Sequence, residues 1–351
     1  MKETLSASKI KTLKSCSWQY WCKYILKLPD KTNSGALIGD TVHIILECLG
    51  SARHKSHYNK IVKNKDIFAS KAIKRMVHKH IKRKNLNETT DLENIRSMAL
   101  NGLTYDFFGK KYGEPTEVVS EKDFEIVVQE EGIEYKIKGF IDKLFIYGNH
   151  GVVLIRDFKT NKKKYEGKEV TDNLQDYMYT LAIRKLYPEL KDVKMEFLFL
   201  KQDLNDGGAM PMHPKDKYEL LGFEHELSGY QKYADSFVEK TATSNMAANQ
   251  GMPKDGSFSG KLLCGFAKEP NQIKKDGTPM WYCTYKFGFD YYAIVDKDNK
   301  IKKSAFTKKE LQKIPTVIVG KPRFPLPPHP VDFLHPLFAS TSSKSFCCSF
   351  F

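Results

Sequence analysis

The sequence predicts an α/β protein whose βββαβ core follows a group of N-terminal helices. Strand-like apolar runs cover residues 124–128, 135–146 and 152–158, with glycine-containing turns between them. Residues 174–186 return to helical spacing, and residues 193–200 form another strand-like run. The apolar content of 41% is enough for a real core, and 351 residues suffice for one large domain or two modest ones.

The N-terminal part is predicted to be helical. Residues 5–50 form two helical pieces, the second an apolar helix from Ala36 to Leu49, and residues 60–112 form further helices. One of these helices carries a basic surface without acidic residues. Two interpretations are open: a solvated helix face, or a surface that follows the phosphates of a nucleic acid. The members of the basic surface are Lys71, Lys74, Arg75, His78, Lys79, His80, Lys82, Arg83 and Lys84.

The C-terminal part has weaker patterns. Residues Lys217 to Ala247 are predicted to be helical. We expect one domain over residues 1–295, with a helical insertion at about 51–117 and a cysteine-containing part at about 250–290. Residues 296–351 are expected to be a loop-rich tail, because Pro322 to Pro336 is too proline-dense for regular structure.

Composition limits the partners and the compartment. A formal net charge of +15 with a pI near 9.2 favours a polyanion, nucleic acid before an anionic membrane, although a lysine-rich proteome would produce the same excess. No apolar run reaches the ~18 residues of a membrane helix, and no signal peptide is evident. We therefore expect a cytoplasmic protein, in which the seven cysteines are thiols or metal ligands rather than disulfides.

Two neighbouring strands carry the chemistry. Gly139-x-x-Asp142 lies on one, and the next ends in Asp157-x-Lys159. Because side chains alternate along a strand, Asp157 and Lys159 project to the same face. Two carboxylates and an ammonium can hold a divalent ion and polarise a water, which points to metal-dependent phosphodiester hydrolysis. A lone Asp-x-Lys also arises by chance on surface strands.

Further polar residues flank these strands. His43 lies in an apolar helix with Glu47 one turn later, and by itself it would more often be a core histidine. Gln175 and Tyr179 lie four residues apart on one face of the next helix, where a structural role and a contact with DNA are equally open.

The order of these residues resembles the PD-(D/E)XK nuclease superfamily and, within it, the RecB-like exonuclease branch. The resemblance covers about residues 5–200 and implies a restriction-endonuclease-like core, a central mixed β-sheet flanked by helices. The matching residues are Gly39 and His43, Gly139 and Asp142, Asp157-Phe158-Lys159-Thr160, and Gln175 with Tyr179.

The resemblance implies roles for these residues. Asp142 and Asp157, with His43 beside them, would bind Mg²⁺ or Mn²⁺. Lys159 would orient the attacking water, and Gln175 and Tyr179 would support it or a phosphate. Glu47 and Glu125 are additional carboxylates to which no role is assigned.

The cysteines present a separate possibility of a cofactor. AddB-type and CRISPR adaptation nucleases of this branch hold a 4Fe–4S cluster with cysteines from both ends of the domain, and four thiolates are the usual complement. The candidates here are Cys16, Cys22, Cys264 and Cys283. The pattern of two and two departs from the family's one and three, which leaves the cluster and a zinc site both open.

The function that the sequence predicts is a metal-dependent DNA exonuclease of phage or bacterial recombination, repair or replication. Its substrate would be single-stranded DNA or duplex ends, and the oligomeric state is undetermined. The alternatives are a nucleic-acid-binding module that has lost catalysis and a structural iron–sulfur protein.

Overall fold

The computed structural model describes residues 1–31, 34–190, 192–245, 264–265, 267–295, 301–311 and 318–319. The chain divides into two compact units. Unit 1 consists of Met1–Ala7 and Thr32–Asp235, and unit 2 consists of Ser8–Lys31 and Ser236–Phe351.

Helices and strands in the described parts follow the predicted order. The α-helices are α1 (Ala7–Ser15), α2 (Ser17–Tyr20), α3 (Ser34–Gly50), α4 (Lys55–Asn64), α5 (Lys71–Lys84), α6 (Thr90–Thr104), α7 (Lys168–Thr171), α8 (Leu174–Leu186), α9 (Lys217–Asp235) and α10 (Lys308–Leu311). The strands are β1 (Glu117–Glu130), β2 (Ile133–Tyr147), β3 (Val152–Lys159), β4 (Asp192–Phe199), β5 (Ala209–Pro211), β6 (Tyr292–Val295), β7 (Ile301–Ala305) and β8 (Ile318–Val319).

Unit 1 contains a five-stranded mixed sheet in the order β1-β2-β3-β4-β5. Strands β1, β2 and β3 are antiparallel neighbours, whereas β3 and β4 are parallel and are joined through α8. A parallel pair needs such a crossover, because its strands start at the same edge of the sheet. The predicted mixed sheet flanked by helices is confirmed. The short strand β5 was not predicted.

The N-terminal helices of unit 1 share one core with the sheet. Helix α3 buries Val42, Ile45, Leu46 and Leu49 completely, at the spacing that a single helix face requires. The same cluster contains Phe158 of β3, together with apolar residues of α4, α5 and α6. The predicted helical insertion therefore packs against the helix that carries His43.

The end of helix α9 differs from the prediction. The helix ends at Asp235 instead of continuing to Ala247, and the Asp235 carboxylate accepts hydrogen bonds from the backbone N–H groups of Lys2 and Glu3. Residues 246 and 247 lie outside the described parts of the chain.

Unit 2 combines the N-terminal segment with C-terminal residues. Helices α1 and α2 are followed by a π-helical turn, Trp21–Ile25, and β7-β6-β8 form a small sheet. Trp18 donates a hydrogen bond from Nε1 to the carbonyl of Tyr285 (3.2 Å). Strand β7 and α10 fall within residues 296–351, which the sequence predicts to be loop-rich. The proline-dense stretch and Cys347-Cys348 lie beyond the described residues.

Within the described residues, no single helix has the length and hydropathy needed to cross a membrane. One bent pair of helical segments reaches that length and hydropathy when the two are taken together. The pair is Ser34–Gly50 and Ala52–Asn64, with a bend of 92° between them.

A buried ionic network ties β3, β4 and the segment after α6 together. The Arg156 side chain is 1% exposed, and its Nε donates to Glu196 Oε2 at 2.8 Å. Its Nη2 donates to Asp106 Oδ2 at 2.8 Å, and Lys111 Nζ lies 3.2 Å from Glu196 Oε1. Each charge of this network therefore has a partner of opposite sign, as burial requires.

Neutralising Glu196 should destabilise unit 1. Glu196→Gln leaves the buried Arg156 guanidinium with half of its counter-charge, so we expect the free energy of unfolding to fall by about 3 kcal/mol. Urea denaturation followed by far-UV circular dichroism measures this loss. The matched control is Glu114→Gln, which breaks an exposed pair with Lys110 (side chains 76% and 66% exposed) and should leave the midpoint unchanged. Equal midpoints for the two variants would contradict the expectation.

Candidate active site

The register of β2 and β3 places the two predicted aspartates opposite each other. The ladder runs from Tyr147↔Val152 to Lys143↔Arg156, and the next position in the same register faces Asp142 with Asp157. Beyond this point a side chain takes the place of the backbone hydrogen bonds between β2 and β3. The Asp142 Oδ2 atom accepts a hydrogen bond from the backbone N–H of Phe158 at 2.7 Å. The strands therefore open at the point where the carboxylates lie.

Asp157 and Lys159 project to the same side of β3, as the strand period predicts. Lys159 Nζ lies 2.6 Å from Asp157 Oδ2, and both side chains are largely buried. Burial would lower the pKa of Lys159, but the charge of Asp157 raises it above its ordinary value. Lys159 is therefore an ammonium at neutral pH.

Helix α8 brings Gln175 and Tyr179 to this pair. Asn173 caps the helix through its side chain, which accepts the N–H groups of Gln175 and Asp176. Gln175 Oε1 accepts from Lys159 Nζ at 2.6 Å, and Nε2 donates to Asp157 Oδ1 and to the Tyr179 hydroxyl (2.8 Å). The Tyr179 hydroxyl donates in turn to the carbonyl of Phe140. Both residues thus fix Lys159 and Asp157 to β2.

Two glycines permit this close packing. A Cβ atom at Gly139 would lie 2.6 Å from the Phe124 ring and 3.3 Å from the Tyr179 ring. At Gly39, a Cβ atom would lie 2.7 Å from Thr160 Oγ1. Gly39 needs to be glycine because α3 approaches Thr160 after β3 too closely for a side chain. At Gly139 the space is taken by the Phe124 ring of β1 and, less closely, by the Tyr179 ring of α8.

His43 extends from α3 to Asp142 and is not a core histidine. Its Nδ1 lies 3.1 Å from Asp142 Oδ1, and its ring packs edge-on against Phe158. Burial would lower the pKa of His43. The hydrogen bond and charge of Asp142, with the charges of Asp157 and Glu121, raise it to about 9.

Glu121 is a site residue that was missed in the sequence. It lies in β1 where the register of β1 and β2 faces it with Asp142, and its backbone is left-handed (φ 51°). Three potential metal-ligand atoms, one from each of His43, Glu121 and Asp142, lie within 4.8 Å of one another. The sequence does predict the turn between β1 and β2. Pairing residues outward from that turn would have placed Glu121 opposite Asp142. Of the carboxylates without an assigned role, Glu125 is exposed and pairs with Lys136 (2.7 Å), and Glu47 is exposed.

The carboxylates repel one another without a cation. Burial, then the charge of Asp142, raises the pKa of Glu121 to about 7. Burial also raises the pKa of Asp157 despite the nearby Lys159. Asp157 Oδ2 forms an ion pair with Lys159 Nζ (2.6 Å), but within the described residues it accepts no hydrogen bond of good geometry. Oxygen donors with one imidazole suit a hard divalent ion, and its charge would relieve this repulsion. The residues therefore fit such an ion.

The close donor group differs in one member from the predicted metal set. His43 and Asp142 belong to both, but the third donor within 4.8 Å is Glu121, whereas Asp157 contacts Lys159 and Gln175. Tyr165 is a second residue that was missed. Hydrogen bonds with Lys159 and Asn173 hold it beside the site, and burial raises its pKa. It follows β3 without a recognisable motif.

The four candidate cysteines all lie in unit 2. Cys16 and Cys22 are buried and Cys264 and Cys283 are half-buried, and none of them forms a disulfide. The backbone N–H of Cys283 donates to the carbonyl of Cys264 at 3.1 Å. Burial and the neighbouring thiols raise the pKa of Cys22. The same two causes raise the pKa of Cys264 to about 11 and the pKa of Cys283 to about 12. The four thiols therefore share one neighbourhood.

Comparisons with known proteins assign the family. No curated protein matches the sequence. A solved structure described as a "putative exonuclease" from Eubacterium rectale is 13% identical to this chain and superposes with a TM-score of 0.42. The match covers 72% of this chain and 90% of that structure's chain. The model of the PD-(D/E)XK nuclease superfamily matches residues 4–265, which is well over half of the chain and includes every residue of the site. The chain therefore belongs to the PD-(D/E)XK nuclease superfamily.

Proposed function

We propose that this nuclease is a metal-dependent DNA exonuclease. The observation that carries the proposal is the facing pair Asp142 and Asp157 at the open end of β2 and β3, with Lys159 held between Asp157 and Gln175. Superfamily membership supports a nuclease acting on nucleic acid. We propose in addition that the substrate is DNA, that the reaction requires a metal ion and that the enzyme acts at DNA ends.

Mg²⁺ or Mn²⁺ would be held by Asp142, Glu121 and His43, with Asp157, which faces Asp142 in the register of β2 and β3, as a further carboxylate. These residues supply the oxygen ligands that both ions prefer. When bound, such an ion polarises a phosphodiester oxygen and makes a water more acidic. Binding requires His43 to lose its proton, because only a neutral imidazole has a lone pair for a metal.

Lys159 acts on the water and on the developing charge. Its ammonium is fixed by Asp157 and Gln175, with Tyr165 alongside, so its positive charge has a defined position. A preorganised cation at this place stabilises negative charge on the phosphoryl oxygens in the transition state. Tyr179 keeps Gln175 in position, since its hydroxyl links Gln175 to the backbone of β2.

The preference for ends rests on the motif order. His43, Asp142, Asp157, Lys159, Gln175 and Tyr179 occur in an order that resembles the RecB-like exonuclease branch. We extend the proposal to a cytoplasmic role in DNA recombination, repair or replication, in a bacterium or a phage-infected host.

Replacing Lys159 tests the proposed catalysis. Lys159→Met should lower kcat on end-labelled linear DNA with Mg²⁺ or Mn²⁺ by roughly 10²- to 10³-fold, because the preorganised charge is lost. The matched control is Lys194→Met on β4, whose ammonium pairs with Asp192 (3.2 Å), and it should retain full activity.

The same assay tests the other parts of the proposal. Covalently closed circular DNA should resist the wild type while linear DNA is degraded. Equal activity of wild type and Lys159→Met would exclude the proposed site, and rapid cleavage of circles would exclude an exonuclease. A wild type that binds DNA and degrades none would favour a binding module.

Replacing Glu121 tests the metal site. Glu121→Gln removes one anionic ligand, so the Mn²⁺ concentration at half-maximal activity should rise roughly 10-fold or more. Mn²⁺ affinity measured by calorimetry should fall in parallel. Glu125→Gln, on the same strand and exposed, is the control and should change neither quantity. Equal Mn²⁺ affinities of the two variants would rule Glu121 out as a ligand.

We also propose that unit 2 holds a 4Fe–4S cluster through Cys16, Cys22, Cys264 and Cys283. The grouping of the four cysteines in unit 2 supports the proposal. Burial and the neighbouring thiols raise the pKa values of Cys22, Cys264 and Cys283, and a bound cationic centre would allow these thiols to ionise. A zinc ion with four cysteine ligands would place their sulfurs about 3.8 Å apart. In the described part of the chain, no three cysteine sulfurs lie within 4.8 Å of one another, so these side chains would have to move closer together to bind zinc.

The cluster makes a spectroscopic prediction. Protein purified anaerobically should be coloured and show the visible absorption of an iron–sulfur cluster, and Cys283→Ser should remove most of it because one of four ligands is lost. Cys48→Ser in α3 is the control and should keep the absorption. A colourless anaerobic wild type without bound iron would refute the cluster.

A further inference from the structure

We infer that the outward face of α5 binds the phosphate backbone of duplex DNA next to the catalytic site. This face is formed by Lys71, Arg75, Lys79 and Lys82 and is called the α5 stripe below. The inference rests on the proposed function, and it identifies the duplex as the form of DNA that is held and α5 as the element that holds it.

The stretch of sequence that contains the α5 stripe is almost free of negative charge. Residues 51–87 contain twelve lysines and arginines but a single acidic residue, Asp66. Asp66 is itself occupied, because its carboxylate accepts from the Phe68 N–H (3.0 Å) and pairs with Arg96 (3.1 Å). A solvated helix face usually mixes both signs, whereas a one-signed face attracts a polyanion.

Helical geometry collects the charges on one side. Ile73, Val77 and Ile81 face the core, and their spacing defines the buried side of α5. At 100° per residue, Arg75 and Lys79 lie opposite that side, with Lys82 and Lys71 next to them. All four are exposed, and no ion pair involves any of them within the described residues.

The C-terminal end of α5 reaches the helix that carries His43. Lys84 Nζ pairs with Asp40 of α3 and lies 3.4 Å from Thr41 Oγ1. Asp40 is one turn before His43, whose ring contacts the Asp142 carboxylate. A DNA backbone that follows the α5 stripe would therefore arrive beside the site.

The chemistry of the stripe favours a duplex over a single strand. Single strands are bound through aromatic side chains on which bases stack, and the outward face of α5 has none. The nearest aromatic residues pack within the protein: Phe68 contacts His78 and Arg96, and Tyr58 stacks on Phe107. Cations alone can contact phosphates without reading bases. Helix α5 is about 21 Å long, which corresponds to about six base pairs of duplex.

Reversing two charges of the stripe tests the inference. Arg75→Glu/Lys79→Glu is compared with Lys217→Glu/Lys232→Glu on the exposed side of α9, which makes the same charge change in the same unit. Binding of a fluorescent 30-base-pair duplex is measured in EDTA, so that no cleavage occurs. The α5 variant should bind at least about tenfold more weakly at low salt, and the slope of log affinity against log salt should become shallower by about two.

The control variant should bind like the wild type, and the neutral variant Arg75→Gln/Lys79→Gln should show an intermediate loss that excludes local unfolding as the cause. Equal affinities and slopes for the α5 and α9 variants would overturn the inference. A loss confined to single-stranded DNA would overturn it too. Hydrolysis of bis(p-nitrophenyl) phosphate by the wild type with Mn²⁺ tests the proposed catalysis separately, because this diester is too short to need the stripe.

Discussion

The hydrogen bond from the Phe158 backbone N–H to the Asp142 carboxylate is the contact on which the site depends. A backbone N–H inside a sheet must find an acceptor, and here a side chain replaces the neighbouring strand. The ladder between β2 and β3 stops at that point, and the strands separate. Asp157, the next residue in register, therefore has no ladder partner in β2, and its carboxylate contacts Lys159 and Gln175 instead.

The rest of unit 1 holds this opening in a fixed geometry. Gln175 and Tyr179 link Asp157 and Lys159 to the backbone of β2, while Arg156, adjacent in sequence to Asp157, is anchored by Glu196 and Asp106. The site itself is unfavourable for folding, since Glu121 is held in a left-handed conformation among other carboxylates. The buried contacts around it supply the stability that the site lacks.

Sequence reasoning found strands β1 to β4, helix α8 and most residues of the candidate site because these depend on local patterns. The alternation in β1 and β2 and the spacing in α3 follow from burial of one face, and Asp142 and His43 lie on β2 and α3. Asp157 and Lys159 lie at the end of β3, which is recognisable as a short apolar run. Glu121 escaped because its position depends on the register of a long hairpin and on a strained backbone, which composition does not reveal. The end of α9 escaped because Asp235 contacts residues more than 230 positions away.

The division of the chain into units bears on how the protein folds during synthesis. The segment Ser8–Lys31 belongs to a unit whose other residues begin at Ser236, whereas Thr32–Asp235 forms a unit with Met1–Ala7. At ordinary translation rates those roughly 200 residues take about 10 to 40 s to emerge from the ribosome. The catalytic unit can therefore fold first, while buried aromatic residues such as Trp18 and Tyr20 stay exposed until their partners appear. For that interval the apolar side chains of the N-terminal segment lack the residues that bury them in the folded protein.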